Sequence, residues 1–274
     1  MTDVRRVQAN GIELACRIDG PGDPARPWLV LAHALASDHR MWAEQAAEFA
    51  TTFNVLRYDL RGHGASSAPV GEYTLELLAD DLRALLDALA IRRCHFVGLS
   101  LGGMIGQMAA LRFPLRFASL TLADTSSRYP AEMKSTWEQR IAAVKTPDGM
   151  KPIMAGTLER WFTPAYRARG TQRMLDMGRQ ILATPVNGYI GCIQAIAKLN
   201  LTLRLQNIDC PVLVIVGAED RGTPQSMAEE IVRAIPGARL QVIAQAAHLS
   251  NVEQPAAFNA ALRAHLEHSV QHSD

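Results

Sequence analysis

The chain has 274 residues, 48% apolar and 20% charged, with a formal net charge of +1. That length allows one large domain or two smaller ones with a sizeable core. The near-neutral balance, with no basic stripe, argues against a nucleic-acid partner. No apolar run reaches the length of a membrane span, and the opening segment lacks the unbroken apolar stretch of a secretory signal. Cys16, Cys94, Cys192 and Cys210 are scattered, and three of them sit in or beside apolar runs. This suits buried thiols in a reducing, cytoplasmic setting better than a disulfide framework.

Residues 4–9 and 12–18 flank Asn10-Gly11, a two-residue turn signal that predicts a hairpin. After a Gly/Pro/Asp loop, residues 28–32 form a continuous apolar run, the pattern of a strand covered on both faces. Similar runs recur at 55–56, 95–97, 119–123 and 212–216, with a last strand at 240–243. Between them Leu75, Leu78, Leu82, Leu85, Leu86 and Leu89 step at three and four, giving a helix one apolar face. Strands alternating with helices predict an α/β protein with a mostly parallel, doubly wound sheet. The alternation breaks over 126–207, where helical pieces are punctuated by Pro130, Pro147, Pro152, Pro164 and Pro185. We expect a helical cap of 126–207 inserted into a core of 1–125 and 208–274, and a polar, frayed tail after Glu267.

Gly98-Leu99-Ser100-Leu101-Gly102 matches G-x-S-x-G. A serine on a sharp strand-to-helix turn leaves room only for very small residues two positions either side. An apolar strand precedes the pattern here and a helix, 104–113, follows it. The turn exposes the Ser100 hydroxyl and puts the Leu101 amide at a helix N-terminus, where it can hold an oxyanion. A serine nucleophile needs a base, and the base an orienting acid. In chain order these are Asp220, after the strand at 212–216, and His248, after the last strand. Glu219 and Asp124 compete for the acid position, Asp124 the more strongly. His265, His268 and His272 lie on a terminal helix or tail and are expected to be solvated. The second oxyanion amide is assigned to Leu35, in the loop after the strand at 28–32, with His33 packed under that loop. In the glycine-rich segment 58–66, Asp59 and Arg61 are expected to pair and tie the loop down. The competing reading makes Arg61 or His63 a substrate contact. There is no C-x-x-C pair and no H-E-x-x-H; the His265/His268 spacing could hold a metal, but at the chain end such a spacing is usually incidental, and with no phosphate-binding or dinucleotide fingerprint neither metal nor cofactor is implied.

Together these segments resemble the α/β-hydrolase family. The resemblance implies an eight-stranded, mostly parallel sheet with a helical cap. Within that family the chain is similar to the 3-oxoadipate enol-lactonases of aromatic-compound degradation, nearly over its full length. The similarity is carried by segments 56–66 and 96–106, by Arg160-Trp161-Phe162-Thr163-Pro164 and Gly188-Tyr189-Ile190-Gly191-Cys192, and by His248-Leu249-Ser250-Asn251. Such lactonases often carry Asn at the place of His33 and Ser at that of Ala34. They also place charge in the stretch that here reads 193–200. The resemblance implies hydrolysis of a small anionic enol-lactone through an acyl-enzyme, with a cation in the cap for the substrate carboxylate. Arg128, Lys134, Arg140, Arg160 and Lys198 are the candidates, and Trp137 and Trp161 could form an apolar wall. A carboxylesterase, a cofactor-free perhydrolase and a hydrolase fold turned ligand receptor are the alternatives. A dehalogenase is disfavoured because its nucleophile is Asp. The partner is thus a small ester or lactone, with no membrane or nucleic acid; a homo-oligomer is possible.

Overall fold

In a computed structural model describing residues 4–23 and 25–271, Asn10 and Gly11 both take positive φ, 47° and 75°. That conformation matches the twist of a tight hairpin. It joins β1 (Arg5–Ala9) to β2 (Ile12–Asp19), antiparallel, with Ala9 opposite Ile12. The chain continues through β3 (Trp28–Ala32), a 3-10 turn, α1 (Ala43–Phe49), β4 (Asn54–Tyr58) and α2 (Leu75–Ala88). Next come β5 (Cys94–Leu99), α3 (Leu101–Arg112) and β6 (Phe117–Ala123). Thr74 caps α2 by accepting the Leu77 N–H, and the helix buries Leu75, Leu78, Leu82, Leu85 and Leu86.

Between β6 and the next strand lie α4 (Lys134–Val144), α5 (Lys151–Trp161), α6 (Pro164–Ala168), α7 (Gln172–Ala183) and α8 (Val186–Ala197). The two ends of this helical segment are joined. Arg128 and Asn200 form an isolated antiparallel bridge, and the Leu201 N–H donates to the Ser127 carbonyl at 2.7 Å. The chain then completes β7 (Val212–Gly217), α9 (Gln225–Ala234), β8 (Arg239–Ile243), α10 (Ser250–Glu253) and α11 (Pro255–Gln271).

The eight strands form one sheet in the order β1-β2-β4-β3-β5-β6-β7-β8, with β3 to β8 parallel. From β3 the chain first steps to β4, then crosses back over β3 to β5. Right-handed crossovers therefore put α1 on one face and α2 and α3 on the other. The packing agrees: α2 lies on α3, and α11 returns to lie on α1. β5 and β7 are buried throughout, while the edge strand β8 alternates. The reversal of strand order opens a crevice at the C-terminal ends of β3 and β5, the usual place for a ligand in such sheets.

Three expectations need correction. The helix after the serine begins at Leu101 rather than 104, because the turn is that tight. The C-terminal segment is helical through Gln271, not frayed after Glu267, because α11 packs against the sheet; His272 lies outside the described residues. His265 is buried rather than solvated, with Nδ1 3.2 Å from the Arg239 guanidinium. All four cysteines are unbridged, and Cys16, Cys94 and Cys192 are buried. No described helix is long and apolar enough to cross a membrane.

Candidate active site

Ser100 sits between β5 and α3 with φ 55° and ψ −114°, a backbone conformation that costs a non-glycine residue about 1–3 kcal/mol. The surrounding lattice holds it there. The Ser100 N–H donates to the Ala123 carbonyl at 2.9 Å, and its own carbonyl accepts the Thr125 hydroxyl at 2.7 Å. The flanking glycines are sterically required. A Cβ on Gly98 would lie 2.2 Å from the Gly102 carbonyl oxygen, and one on Gly102 would lie 2.2 Å from that of Ala32. The second contact brings the start of α3 against the end of β3. The Leu101 amide therefore stands beside the loop that carries Leu35. Neither amide has a hydrogen-bond acceptor among the described residues.

The Leu35 loop is pinned from below by two histidines. His33 Nε2 accepts the Leu60 N–H at 2.9 Å, which leaves its Nδ1 to donate to the Ala34 carbonyl at 2.7 Å. His63 Nε2 accepts the Ala36 N–H at 3.0 Å. Both rings are fully buried, and burial pushes both pKa values down, that of His63 to about 3. They are neutral struts on either side of Leu35. His33 is thus where the sequence puts it. His63 is not a substrate contact; sequence spacing gave no sign of its strut role.

His248 Nδ1 lies 2.8 Å from Asp220 Oδ2. Asp220 also accepts the Gly222 N–H at 2.7 Å, the Thr223 N–H at 3.0 Å and the Thr223 hydroxyl at 2.7 Å. Burial favours the neutral acid, but the His248 charge and these donors outweigh it, so the Asp220 pKa falls. For His248 burial acts downward. The charge and hydrogen bond of Asp220, with Asp124 behind them, more than offset it and raise the pKa above 6.5. With Nδ1 committed to Asp220, Nε2 is the nitrogen left for a reacting proton. Ser100 and His248 line the same pocket, without a direct hydrogen bond between them. Thr223, whose hydroxyl lies 3.2 Å from His248 Nδ1, was missed from sequence; an Asp followed three residues on by Thr, a local turn pattern, was its only signal.

Asp124 is not the histidine's hydrogen-bond partner. It accepts the Gly217 N–H at 2.8 Å and the Ser250 hydroxyl at 2.5 Å, and is fully buried. Burial and the neighbouring Asp220 push its pKa to about 8. Glu219 is exposed.

The expected Asp59–Arg61 pair does not form. Arg61 makes a bidentate pair with Asp81, at 2.6 and 2.7 Å. Asp59 takes the His39 N–H and ring nitrogen, both at 2.8 Å, and the Ala65 N–H at 2.8 Å. Arg61 is held by a long-range partner on α2 and, like His63, does not line the pocket. Ligand atoms of Asp38, His39 and Asp59 lie within 4.8 Å of one another. Arg40 and backbone amides already engage those carboxylates, and the site chemistry does not draw on them.

The pocket holds about 290 Å³. Helices α4, α5 and α8 supply Trp137, Arg140, Arg160, Trp161 and Tyr189 to its wall, so four of the expected substrate-side residues gather there. Lys198 does not. It is exposed, paired with Glu72, and lines a different depression. Arg128 and Lys134 are also outside, facing Glu230 and Glu138 respectively.

The sheet, the strained serine and the acid–histidine pair define a hydrolase. Residues 27–255 match the model of the alpha/beta hydrolase fold, and the chain belongs to that family. It is 37% identical to 3-oxoadipate enol-lactonase 2 of Acinetobacter baylyi over 243 residues, 89% of this chain and 90% of that one. Among solved structures it resembles the enol-lactonase of Burkholderia xenovorans at 36% identity and a TM-score of 0.92, covering 96% of this chain and 100% of that one. A hydrolase from Pseudomonas aeruginosa is 42% identical with a TM-score of 0.91, covering 96% and 98%. At 29% identity, over 88% of this chain and 93% of the relative, it is also similar to a Pseudomonas syringae protein named for carbamate hydrolysis.

Proposed function

We propose that the protein hydrolyses a small enol-lactone, 3-oxoadipate enol-lactone, through a Ser100–His248–Asp220 triad and an acyl-enzyme. The observation that carries the catalytic part is the 2.8 Å His248–Asp220 contact in the pocket that also holds Ser100. The choice of lactone rests on similarity to the enol-lactonases. The segment 126–207 acts as a cap over a core of 1–125 and 208–274.

His248 Nε2 takes the Ser100 proton as Oγ attacks the lactone carbonyl. The Leu35 and Leu101 amides receive the developing oxyanion, each donor contributing about 3–4 kcal/mol to the transition state. The ring C–O bond breaks and an enolate leaves; it takes up one proton as it settles as the ketone, and His248 gives up the serine proton to it or to solvent and is neutral again. Because an enolate is a better leaving group than an alkoxide, that step needs little acid assistance. Water, deprotonated by His248, then attacks the acyl-enzyme and frees Ser100. Trp137 and Trp161 form the apolar side of the pocket.

The test is turnover by the purified protein of the enol-lactone, a 4-nitrophenyl ester and a small carbamate. The expected result is a kcat/KM for the lactone at least a hundredfold above the others. Fast turnover of the ester with none of the lactone makes the protein a carboxylesterase. Preference for the carbamate gives that chemistry instead, and a chain that only binds all three is a receptor. Ser100→Ala is expected to lose on the order of a million-fold in kcat with the fold intact.

A further inference from the structure

Tyr129 lines the pocket that holds Ser100 and His248, and none of the sequence motifs includes it. It follows β6 and precedes Pro130, which biases its backbone toward extended conformations. The stretch before it is tied down. The Ser126 hydroxyl donates to the Arg128 carbonyl at 2.5 Å, and Arg128 bridges to Asn200. The Tyr129 ring stands edge-on to Trp137, with centroids 5.3 Å apart at 77°. Its hydroxyl, in contrast, has no hydrogen-bond partner among the described residues. A largely covered tyrosine hydroxyl usually finds one.

The order of the strands fixes which side of Ser100 this hydroxyl serves. Along the C-terminal edge of the sheet, the Leu35 loop follows β3, Ser100 follows β5, Tyr129 follows β6, Asp220 follows β7 and His248 follows β8. Tyr129 thus stands on the acid–histidine side of the serine, and the Leu35 amide on the other. The electrostatics agree. Burial, and then the Asp220 charge, push the Tyr129 pKa far up, so the hydroxyl keeps its proton at any working pH. A base that takes the serine proton and then returns it must stand near both the nucleophile and the oxygen that departs. The departing oxygen therefore leaves on the His248 side, toward Tyr129, while the two backbone amides face the carbonyl oxygen.

Resting on the hydrolase reading above, we infer that the Tyr129 hydroxyl is a catalytic hydrogen-bond donor to the leaving-group oxygen. Once Ser100 Oγ has bonded to the carbonyl carbon, the carbon–oxygen bond of the ester or lactone breaks, and its electron pair goes to the departing oxygen. The serine proton, held on His248, passes to the leaving group or to solvent. Tyr129 transfers no proton. It donates a hydrogen bond that strengthens as charge gathers on that oxygen, because a bond to a charged acceptor is worth more than one to a neutral acceptor. The more basic the departing oxygen, the larger the benefit. Tyr129 thereby widens the range of esters and lactones that the pocket can open.

The test is a series of ring-substituted phenyl acetates, from 4-nitrophenyl acetate, with the best leaving group, to the unsubstituted phenyl ester. kcat/KM is measured for the wild type and for Tyr129→Phe. All members share one acyl group, so differences along the series belong to the departing oxygen. Tyr129→Phe keeps the ring against Trp137 and removes only the donor. It is expected to lose about twofold on 4-nitrophenyl acetate and about 10- to 100-fold on phenyl acetate, which makes its plot of log kcat/KM against leaving-group pKa steeper than that of the wild type. The slope compares substrates on one protein, so a partly unfolded sample leaves it unchanged. Equal losses along the series, or none, overturn the inference and leave Tyr129 a part of the pocket wall.

Ser100→Ala on the same series separates this inference from the reading beneath it. Loss of turnover on every ester in that variant upholds the hydrolase reading, whatever the Tyr129→Phe slope shows. A Ser100→Ala protein that still turns over the esters overturns the hydrolase reading and the inference with it.

Discussion

In the proposed triad His248 has to be neutral to accept the serine proton, and Asp220 works against neutrality by raising its pKa above 6.5. The sign of the pH dependence follows. kcat/KM is lost as pH falls through that raised value, so the acid limb of the wild-type profile is expected to lie above the ordinary imidazole range. Asp220→Asn removes the charge that lifts the histidine. Its acid limb is expected to move down while kcat falls by on the order of ten-thousand-fold, because the ring loses its orienting acceptor. A pH–rate series on both proteins measures this, and a stationary limb would assign the acid elsewhere. Asp124 is a separate case. Its backbone φ of 45° suits Asp or Asn better than Ala, and its carboxyl joins the end of β7 to the segment after His248 through Gly217 and Ser250. Asp124→Ala orphans two buried donors and is expected to cost about 2–6 kcal/mol in urea unfolding. Asp124→Asn, which can still accept from one donor, is expected to cost less. Equal costs would mean that the oxygen acceptors matter little.

At the scale of elements, one contact between the helical segment and the core is backbone against backbone. A Cβ on Gly188, in α8, would lie 2.1 Å from the Gly62 carbonyl oxygen, and Gly62 itself has φ 81°. Neither backbone can yield like a side chain. Gly188→Ala gains ~1 kcal/mol of helix propensity, yet is expected to lose about 1–3 kcal/mol overall, because α8 must lift from the loop beneath it. Denaturant titration decides it, and an unchanged or raised midpoint would show that α8 has slack. This contact was invisible in the sequence, where Gly188 read only as part of a family resemblance. The elements themselves were legible, since their signals are local: continuous apolar runs for β3, β5, β6 and β7, and leucines at three and four for α2. The elbow was legible for the same reason, being a local steric constraint written in five residues. Pairings across long sequence separation were not. Arg61 finds Asp81 on α2 rather than its neighbour Asp59, and Lys198 pairs outward with Glu72. His265 is covered by the sheet side of α11, where a polar composition suggested solvent. A charge pattern names the ions, but only the fold decides which face each one finds.

At the scale of the whole molecule, the proposed base, His248, and the helical segment share one anchor. Leu249, next to His248, donates its N–H to the Trp161 carbonyl at 3.0 Å. Glu253 is buried and stands without a cation among the described residues. Its carboxylate accepts the Thr163 N–H at 3.1 Å, the Thr163 hydroxyl, and the Ala247 N–H at 3.0 Å. One side chain thus fixes both the α5–α6 junction, next to Arg160 and Trp161, and the loop that presents His248. Ser100, His248 and the helical pocket wall arrive from distant parts of the chain, and Glu253 holds two of them in one frame. Glu253→Gln substitutes an NH2 group for one acceptor oxygen, turning it toward a donor. It is expected to cost about 1–3 kcal/mol of stability, the penalty of a buried unsatisfied group. It is also expected to lower kcat, since Ala247 adjoins His248, the proposed base. The mechanical link predicts more than loss. In native-state hydrogen exchange the Thr163 and Ala247 amides, which share this acceptor, are expected to lose protection together in the variant. A double-mutant cycle with Thr163→Val is expected to show a coupling above about 0.5 kcal/mol, beyond the scatter of independent sites. Additive effects, or loss of protection at only one of the two amides, would show that wall and base are held independently and that Glu253 serves one of them alone.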